Sequence, residues 1–283
     1  MILDGRIAAK TLLEKLKSQL KTLPRPALLS IIQDAGNPAS DLYIEMKMKA
    51  AASLGIEIRH LKDSFQSKSG ILKLVEEQQN DRDVTGVLVQ LPLMSPGLKG
   101  FESELLTKLR ANKDADGLGL QAQGALFTGS THPDHWTCPI AATPLGIYRL
   151  LEHYKIPIMG KKIAILGRSR LVGKPLGQIF LQSHASVLQL HSKSVDVEDW
   201  ISTSDIVVVA IGRPTQFSLR LKKSAVLIDV GIHREDQKTV GDCSLDSQRS
   251  CASYSPVPGG VGPMTVACLM ENVTRLALSH HKL

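Results

Sequence analysis

The stretch IAILGRSRLVGKPLG, residues 163–177, predicts the fold of the second half of the chain. An apolar run precedes a polar, glycine-containing turn, and apolar residues at helical spacing follow it. We interpret this order as strand, turn and helix, in which Gly167 permits the tight turn and Gly173 permits close packing of the helix. The middle glycine of GxGxxG is replaced by Ser169, so an ordinary strand-to-helix turn stays an alternative to a dinucleotide site.

Helical and strand patterns alternate on both sides of this turn, which predicts an α/β protein with parallel sheets. Residues 111–141 interrupt the alternation and indicate a domain edge, and Pro263 is suited to the first turn of a final helix. The predicted strands lie in ALLSIIQ, IEIRHL, TGVLVQLPL, KKIAILG, SVLQLH, DIVVVAIG and AVLIDVG, and the predicted helices lie in GRIAAKTLLEKLKSQL, residues 40–54, ILKLVEEQQ, TPLGIYRLLEHY and residues 172–183.

Composition is that of a globular protein: 283 residues are 43% hydrophobic and 22% charged, with a net charge of +7. A basic protein suits an anionic ligand. Its basic residues are scattered and only 4% of its residues are aromatic, which argues against nucleic acid. We therefore expect a phosphorylated or polycarboxylate small molecule as the ligand.

The four cysteines show no CxxC spacing, so we expect neither a disulfide framework nor a metal site. The first residues, MILDGRIAAK, do not have the apolar pattern of a signal peptide, and no apolar run has the length of a membrane span. These features predict a cytoplasmic protein without membrane partners.

The end of the second predicted strand around the glycine turn indicates which dinucleotide binds. An NAD site places a carboxylate there, but residues 188–194 read LQLHSKS. Ser192 and Lys193, together with Arg168 in the turn, could instead bind a 2'-phosphate. We predict NADP in preference to NAD, the alternative being that Ser192 and Lys193 form a solvated loop.

A second segment, YIEMKMKAAASLGI at residues 43–56, places a lysine on an apolar helix face. Tyr43 and Lys47 share that face with alanines and a leucine, whereas Glu45 and Lys49 lie opposite as an exposed pair. Spacing alone favours a Lys47 that runs its methylenes along the core and reaches solvent at the edge. The alternative is a lysine in a cleft, beside an aromatic ring, that takes part in acid–base chemistry.

Several segments together resemble the bifunctional methylenetetrahydrofolate dehydrogenase/methenyltetrahydrofolate cyclohydrolase family. Their order and intervals match the family over almost the whole chain, and the last of them is the most specific. The segments are PASDLYIEMKMKAAASLGI, GVLVQLPL, KDADGL, GRSRLVGKP, DVGI and PVPGGVGPMT.

The resemblance implies two domains with an active cleft between them. Residues 1–138 and 264–283 would form a folate-binding catalytic domain completed by the C-terminal helix, and residues 139–263 a Rossmann-type domain that binds NADP. It also implies the site residues. Lys47 would be the catalytic lysine, Gln90 its hydrogen-bonding partner, Tyr43 the ring that stacks on folate and Asp116 the carboxylate that binds the pterin. The implied dinucleotide contacts are Gly167, Arg168, Ser169, Gly173, Ser192 and Ile232.

The residue types suit these roles. One carboxylate such as Asp116 can accept two parallel hydrogen bonds from the N–H and NH2 groups of a pterin, although an Asp in DADG is also a common turn former. The Gln90 amide can bond to a lysine without neutralising it. Pro258 and Gly259 would allow a flat ring to approach closely, as would any Gly/Pro loop.

The implied chemistry is oxidation of 5,10-methylenetetrahydrofolate with NADP, followed by hydrolysis of the methenyl product to 10-formyltetrahydrofolate, a one-carbon donor for purine biosynthesis. By resemblance we also expect a homodimer. The chain departs from the family at three positions. Ala142 replaces a cysteine that Cys138 does not supply, Ala122 replaces an asparagine, and His233 stands where asparagine is usual. We predict that His233 is a surface residue.

Two alternatives stay open on the sequence alone. Tyr43 and Lys47 also spell the YxxxK of short-chain dehydrogenases, but there the pair follows an N-terminal glycine turn, and here it precedes the turn. The other alternative is a protein that binds folate, nucleotide or nucleic acid without turnover.

Overall fold

A computed structural model describes residues 1–213, 218–235 and 238–281, and helices alternate with short apolar strands along most of the chain. The helices are α1 (Gly5–Leu20), α2 (Pro38–Leu54), α3 (Lys68–Asn80), α4 (Glu102–Thr107), α5 (Leu120–Phe127), α6 (Ala142–His153), α7 (Gly173–Gln182), α8 (Val197–Thr203), α9 (Leu245–Ser250) and α10 (Val261–His280), with a 3-10 turn at Pro96–Leu98. The strands are β1 (Leu28–Asp34), β2 (Glu57–Asp63), β3 (Gly86–Gln90), β4 (Lys162–Leu166), β5 (Ser186–Leu190), β6 (Ile206–Val209), β7 (Val226–Asp229), β8 (His233–Glu235), β9 (Lys238–Val240) and β10 (Ser253–Tyr254).

The first sheet is parallel, with strand order β2-β1-β3. Its register places Lys62, Gln33 and Gln90 side by side in one row at the carboxyl ends of the strands. Side chains alternate between the two faces of a sheet, so this polar row shares its face with Ile31 and Leu88. Those two residues belong to the apolar core that α2 also enters, and the polar row therefore lies on the face that α2 covers.

The opposite face of this sheet packs against α3. Ile32, Val87 and Val89 join Ile71 and Val75 of the helix in a second apolar core. The cap of α3 fits its sequence, because the Ser67 hydroxyl accepts a hydrogen bond from the backbone of the third helical residue. With both faces covered, β1 buries every residue from Leu29 to Asp34, as expected for a parallel strand.

The second sheet is also parallel, with strand order β10-β7-β6-β4-β5. All residues of β6 and β7 are buried, as predicted from their apolar, β-branched runs. Its apolar core includes Ala164, Val207 and Leu227. The β8–β9 hairpin is antiparallel and separate from this sheet.

Two compact units make up the chain: Leu12–Ala142 with Val266–Leu283, and Met1–Thr11 with Thr143–Thr265. The first residues differ from the expected division, which placed them in the N-terminal domain. They pair instead with the second unit, because the Leu3 N–H donates to the Tyr254 carbonyl over 2.8 Å and the Gly5 N–H donates to the Gly259 carbonyl over 2.7 Å.

Residues 111–141 contain the helix α5, which the sequence did not predict. Leu120 and Phe127 at its two ends are 61% and 72% exposed, whereas Ala122 and Leu126 are buried. Apolar side chains on the exposed side remove the amphipathic pattern that identifies a helix. The short elements α4, α8, α9 and β10 and the β8–β9 hairpin were also absent from the prediction.

The four cysteines, all within the described ranges, are free thiols. Among the helices that the structure describes, none combines the length and the apolar character that crossing a membrane requires. Across the same residues, no cluster of His, Cys, Asp and Glu could hold a metal ion.

Candidate active site

Lys47 lies on the face of α2 that packs against the first sheet. The same face contributes Ile44, Ala51 and Leu54 to the apolar core. The partly buried Lys47 donates from Nζ to Oε1 of Gln90 over 2.7 Å. Lys49, on the other side of the helix, is 80% exposed and lies 4.0 Å from Glu45. The Lys47 ammonium is thus held by an amide at a strand end and does not reach into open solvent.

Gln90 is oriented by its own loop. It is the last residue of β3, and its Nε2 donates to the carbonyl of Leu91 over 2.7 Å. Because the amide nitrogen is occupied there, the amide oxygen faces the Lys47 ammonium. This arrangement supplies a hydrogen bond to the lysine without adding a negative charge.

The charge of Asp116 balances that of Lys47. Burial lowers the pKa of Lys47, and the negative charge of Asp116 opposes part of that effect. Burial likewise raises the pKa of Asp116, and the positive charge of Lys47 opposes part of that shift. A lysine with a lowered pKa and a carboxyl group with a raised pKa are suited to proton transfer near neutral pH.

Asp114 shapes the turn that carries Asp116. Its side chain is fully buried; Oδ1 accepts from the N–H of Gly117 over 3.0 Å and Oδ2 accepts from the N–H of Gly119 over 2.6 Å. Burial raises the pKa of Asp114 to about 6, and the neighbouring Asp116 charge adds to that shift. Gly117 has a φ of +66°, and a Cβ there would overlap the Ile140 backbone.

Asn272 of α10 joins the two segments around this turn. Its Nδ2 donates to the carbonyls of Ala115 and Ile140 over 3.0 and 2.8 Å, and its Oδ1 accepts from the Ile140 N–H over 3.3 Å. The side chain is fully buried and uses both ends of its amide. Sequence reasoning missed Asn272 because a lone asparagine in a helix gives no signal. It missed Asp114 because it interpreted only the second Asp of DADG.

The first turn of α2 is fixed by a further polar group that the sequence did not predict. Gln33 is fully buried; it donates from Nε2 to Oδ1 of Asp41 over 2.7 Å, and its Oε1 lies 2.8 Å from Nε2 of His60. Lys62 donates to the same Asp41 oxygen over 2.7 Å. The polar row of the sheet therefore holds both ends of the helical segment that carries Tyr43 and Lys47.

Tyr43 lies one helical turn before Lys47 and is partly buried. Burial raises the pKa of its hydroxyl, so the side chain stays protonated and neutral at physiological pH. One unit of the chain thus contains four of the site residues predicted from the sequence: Tyr43, Lys47, Gln90 and Asp116. Pro258 and Gly259 lie in the other unit, together with the residues that were predicted to contact the dinucleotide.

The glycine turn is built as the sequence suggested. Gly167 has a φ of +125°, and a Cβ there would overlap the Ala210 carbonyl. A Cβ on Gly173 would overlap the Gly167 carbonyl, which also accepts from Nε2 of Gln189 over 3.0 Å. The Ser169 hydroxyl accepts from the Val172 N–H over 3.1 Å. These contacts fix the turn at the start of α7, where backbone N–H groups can bind phosphate.

The polar residues around this turn are open to solvent. Arg168, Ser169, Ser192 and Lys193 are exposed. His191 shapes the segment after β5, since its N–H donates to the Ser194 hydroxyl over 3.0 Å and its Nδ1 accepts from the Lys193 N–H over 3.2 Å. Between β5 and residue 194 the chain carries no carboxylate. The exposed donors of Arg168, Ser192 and Lys193 fit a ribose that carries a 2'-phosphate better than a ribose with a free 2'-hydroxyl.

Two family models match the chain: the catalytic domain of tetrahydrofolate dehydrogenase/cyclohydrolase over residues 3–116, and its NAD(P)-binding domain over residues 141–281. A bifunctional protein FolD of Leuconostoc citreum is 42% identical over 281 residues, covering 98% of this chain and 97% of that protein. The chain belongs to the tetrahydrofolate dehydrogenase/cyclohydrolase family.

Solved structures of the family show the same fold. A bifunctional FolD from Campylobacter jejuni has a TM-score of 0.90 at 32% identity and covers 99% of each chain. A FolD from Trypanosoma brucei, complexed with NADP cofactor and inhibitor, has a TM-score of 0.88 at 29% identity and covers 100% of this chain and 99% of that one. The predicted fold class and pair of activities are confirmed. The short-chain dehydrogenase alternative and that of a binding protein without turnover are wrong.

The three departures from the family pattern have different surroundings. Ala122 and Ala142 are buried, and Ala142 packs in the apolar core beside α2. The prediction that His233 is a surface residue is wrong. Its side chain is only 15% exposed, and its Nε2 lies 2.6 Å from Oδ1 of Asp242, a carboxylate with no exposed surface. An isolated buried carboxylate is costly, and the imidazole supplies it with a donor.

Proposed function

We propose that this enzyme uses NADP to oxidise 5,10-methylenetetrahydrofolate and that Lys47 then assists hydrolysis of the methenyl product to 10-formyltetrahydrofolate. The observation that carries the proposal is the hydrogen bond from the Lys47 ammonium to Gln90, with Asp116 as the charge that balances the lysine. This arrangement keeps a lysine of lowered pKa in a fixed position, as proton transfer requires.

Asp116 would orient the folate. Its carboxylate can accept parallel hydrogen bonds from the ring N–H and the exocyclic NH2 of the pterin, which fixes the position of the one-carbon bridge. The Asp114 bonds to Gly117 and Gly119 hold the turn in shape while this happens. Tyr43, neutral and one turn from Lys47, would stack on the folate ring.

The oxidation step needs alignment more than proton transfer. NADP, when bound, accepts a hydride from the methylene bridge, and the methenyl cation is left. The chain contributes by holding the folate through Asp116 and Tyr43, and no side chain has to gain or lose a proton. Loss of the Lys47 amine should therefore affect this step less than the next one.

The hydrolysis step requires proton transfers. Water adds to the methenyl carbon, the ring opens at one carbon–nitrogen bond, and one proton is released. Lys47 Nζ can carry a proton between the attacking water and the leaving nitrogen, and burial, which lowers the pKa of Lys47, favours release of that proton. Gln90 keeps the amine in place through both transfers.

The choice of NADP rests on Arg168, Ser192 and Lys193. They are exposed near the start of α7 and the end of β5, and no carboxylate up to residue 194 would repel a 2'-phosphate. Arginine and lysine bind phosphate through charge-assisted hydrogen bonds. The FolD from Trypanosoma brucei, complexed with NADP, supports the same choice.

A coupled assay tests the cofactor proposal. Formation and decay of the methenyl product are followed with NADP and with NAD at equal concentrations. We expect kcat/KM to be at least about tenfold higher with NADP, the equivalent of one lost phosphate contact. An equal or higher kcat/KM with NAD would refute the preference.

We further propose that the enzyme acts as a cytoplasmic homodimer and supplies one-carbon units for purine biosynthesis. The apolar, β-rich second unit favours self-association, and 10-formyltetrahydrofolate is a formyl donor. Sedimentation should give twice the 30.8 kDa mass of one chain. A single species at the mass of one chain at micromolar concentration would contradict the dimer.

A further inference from the structure

The pair formed by His233 and Asp242 lies beside residues assigned to the dinucleotide. His233 is the first residue of β8 and directly follows Ile232, which is 44% exposed and was expected to contact the cofactor. Asp242 follows β9, and the two side chains meet over 2.6 Å. Since a carboxylate only accepts, the imidazole N–H is the donor.

Asp242 also holds the loop that follows β6. Its second oxygen, Oδ2, accepts from the N–H of Ile211 over 2.9 Å and from the N–H of Gly212 over 3.2 Å. Its own N–H donates over 2.9 Å to Oδ1 of Asp229, the last residue of β7. Through its carboxylate and its backbone N–H, Asp242 thus joins the carboxyl ends of two neighbouring strands of the second sheet.

The loop after β6 contacts the glycine turn. Ala210, the residue before Ile211, places its carbonyl against Gly167 so closely that any side chain at Gly167 would overlap it. Because β4 and β6 are adjacent parallel strands, their carboxyl ends lie at the same edge of the sheet. Dinucleotides bind at this edge of such sheets. Contacts therefore run from His233 through Asp242 to the glycine turn.

We propose that His233 is a positioning residue for the dinucleotide: through Asp242 it fixes the Ile211–Gly212 loop beside the glycine turn. The inference rests on the dinucleotide site described above. Without the imidazole, Oδ1 of Asp242 loses its side-chain donor while the carboxylate stays buried. The carboxylate would then shift toward water or another donor, and Ile211 and Gly212 would lose their fixed position.

The test compares three variants of the full-length enzyme. His233→Leu removes the donor, whereas His233→Asn keeps an amide N–H that can donate to Asp242. His280→Leu is the matched control, because His280 is a partly buried histidine of the other unit whose Nε2 lies 2.9 Å from the Asn112 carbonyl. The readouts are KM for NADP, KM for the folate substrate, kcat, and Kd for NADP by calorimetry.

We expect His233→Leu to raise Kd and KM for NADP by about tenfold, the effect of one lost hydrogen bond to a charged group. KM for folate and kcat at saturating NADP should change by less than about twofold, because Lys47, Gln90 and Asp116 belong to the other unit of the chain. His233→Asn should restore NADP binding to within about threefold of wild type, and His280→Leu should leave it unchanged.

Unaltered NADP binding in His233→Leu would overturn the proposal, as would equal losses for NADP and folate that His233→Asn does not repair. If His233→Leu does not fold, Asp242→Asn addresses the same contact and should weaken NADP binding to a similar extent. If wild type prefers NAD, the NADP proposal fails separately, and the same comparison is made with NAD.

Discussion

Lys47 carries a charge on an otherwise apolar helix face, and its neighbours show how the charge is tolerated. Periodicity alone placed the side chain on the core side of α2, which the structure bears out. The Gln90 partner could not be found from spacing, because it depends on the register of β3 beside β1, and only the family resemblance suggested it. Neither spacing nor the family resemblance suggested the pairing of His233 with Asp242, because it depends on how the hairpin brings the two residues together.

Asp114→Asn tests how the turn beneath Asp116 is held. The amide keeps one acceptor oxygen, but its NH2 group would face the N–H of Gly117 or Gly119. We expect KM for methylenetetrahydrofolate to rise by about tenfold with a smaller change in KM for NADP, because Asp116 loses its fixed position. Steady-state kinetics with each substrate varied in turn measure both; an unchanged folate KM would contradict this role.

The pH dependence of stability gives a second test of Asp114. Its pKa is raised from 3.8 to about 6 in the folded protein, so the folded state binds more protons than the unfolded state between these values. The contribution of Asp114 to the free energy of unfolding therefore falls as pH rises through this window, by up to about 3 kcal/mol. Urea unfolding of wild type and Asp114→Asn at several pH values measures this contribution to the free energy of unfolding. The stability difference, wild type minus variant, should decrease from about pH 4 to about pH 7; a constant difference would contradict the assignment.

At the scale of elements, prediction worked where burial determines sequence. Both faces of each sheet need apolar cover, so β6 is a continuous apolar run and β7 is apolar up to its last residue, Asp229. Prediction failed for α5, whose exposed Leu120 and Phe127 hide its periodicity, and for β10, which is only two residues long. Such elements are set by tertiary contacts, as when β10 pairs with β7.

Two glycines of α7 provide a matched pair of variants. Gly173→Ala would drive a Cβ into the Gly167 carbonyl, whereas the nearest atoms to a Cβ on Gly177 are 3.9 Å away. We expect Gly173→Ala to weaken NADP binding by at least about tenfold through distortion of the glycine turn. Gly177→Ala should leave binding unchanged and stabilise the protein by up to about 1 kcal/mol. Calorimetric titration and thermal unfolding measure these effects; equal NADP affinity in both variants would argue against the turn as a phosphate site.

For the whole molecule, the structure separates the groups assigned to folate from those assigned to the dinucleotide. Lys47, Gln90 and Asp116 lie in the unit of the first sheet, and the glycine turn lies in the unit of the second. The sequence indicated two domains through the break in periodicity at residues 111–141. It did not reveal that Met1–Thr11 group with the second sheet, because that depends on backbone pairing with Tyr254.

Hydrogen exchange tests this division of binding. NADP should slow exchange mainly in the loops after β4, β5 and β6, because ligand contacts protect the amides they order. A folate analogue should slow it mainly in α2 and in the turn from Asp114 to Gly119. Mass spectrometry of peptides from each segment reports both patterns, and protection of the α2 peptides by NADP alone would contradict the assignment.

A comparison of Lys47→Met with Lys49→Met tests whether Lys47 serves hydrolysis. Both variants remove one ammonium from α2, but Lys49 is 80% exposed on the opposite face. Dehydrogenase and cyclohydrolase rates are measured separately in each. We predict that Lys47→Met lowers the cyclohydrolase rate by at least about a hundredfold and the dehydrogenase rate by about tenfold or less. General acid–base catalysis contributes to hydrolysis far more than to hydride transfer, which depends mainly on the alignment of the two substrates. Lys49→Met should retain both rates. Cyclohydrolase activity at the native rate in Lys47→Met would show that Lys47 does not assist hydrolysis.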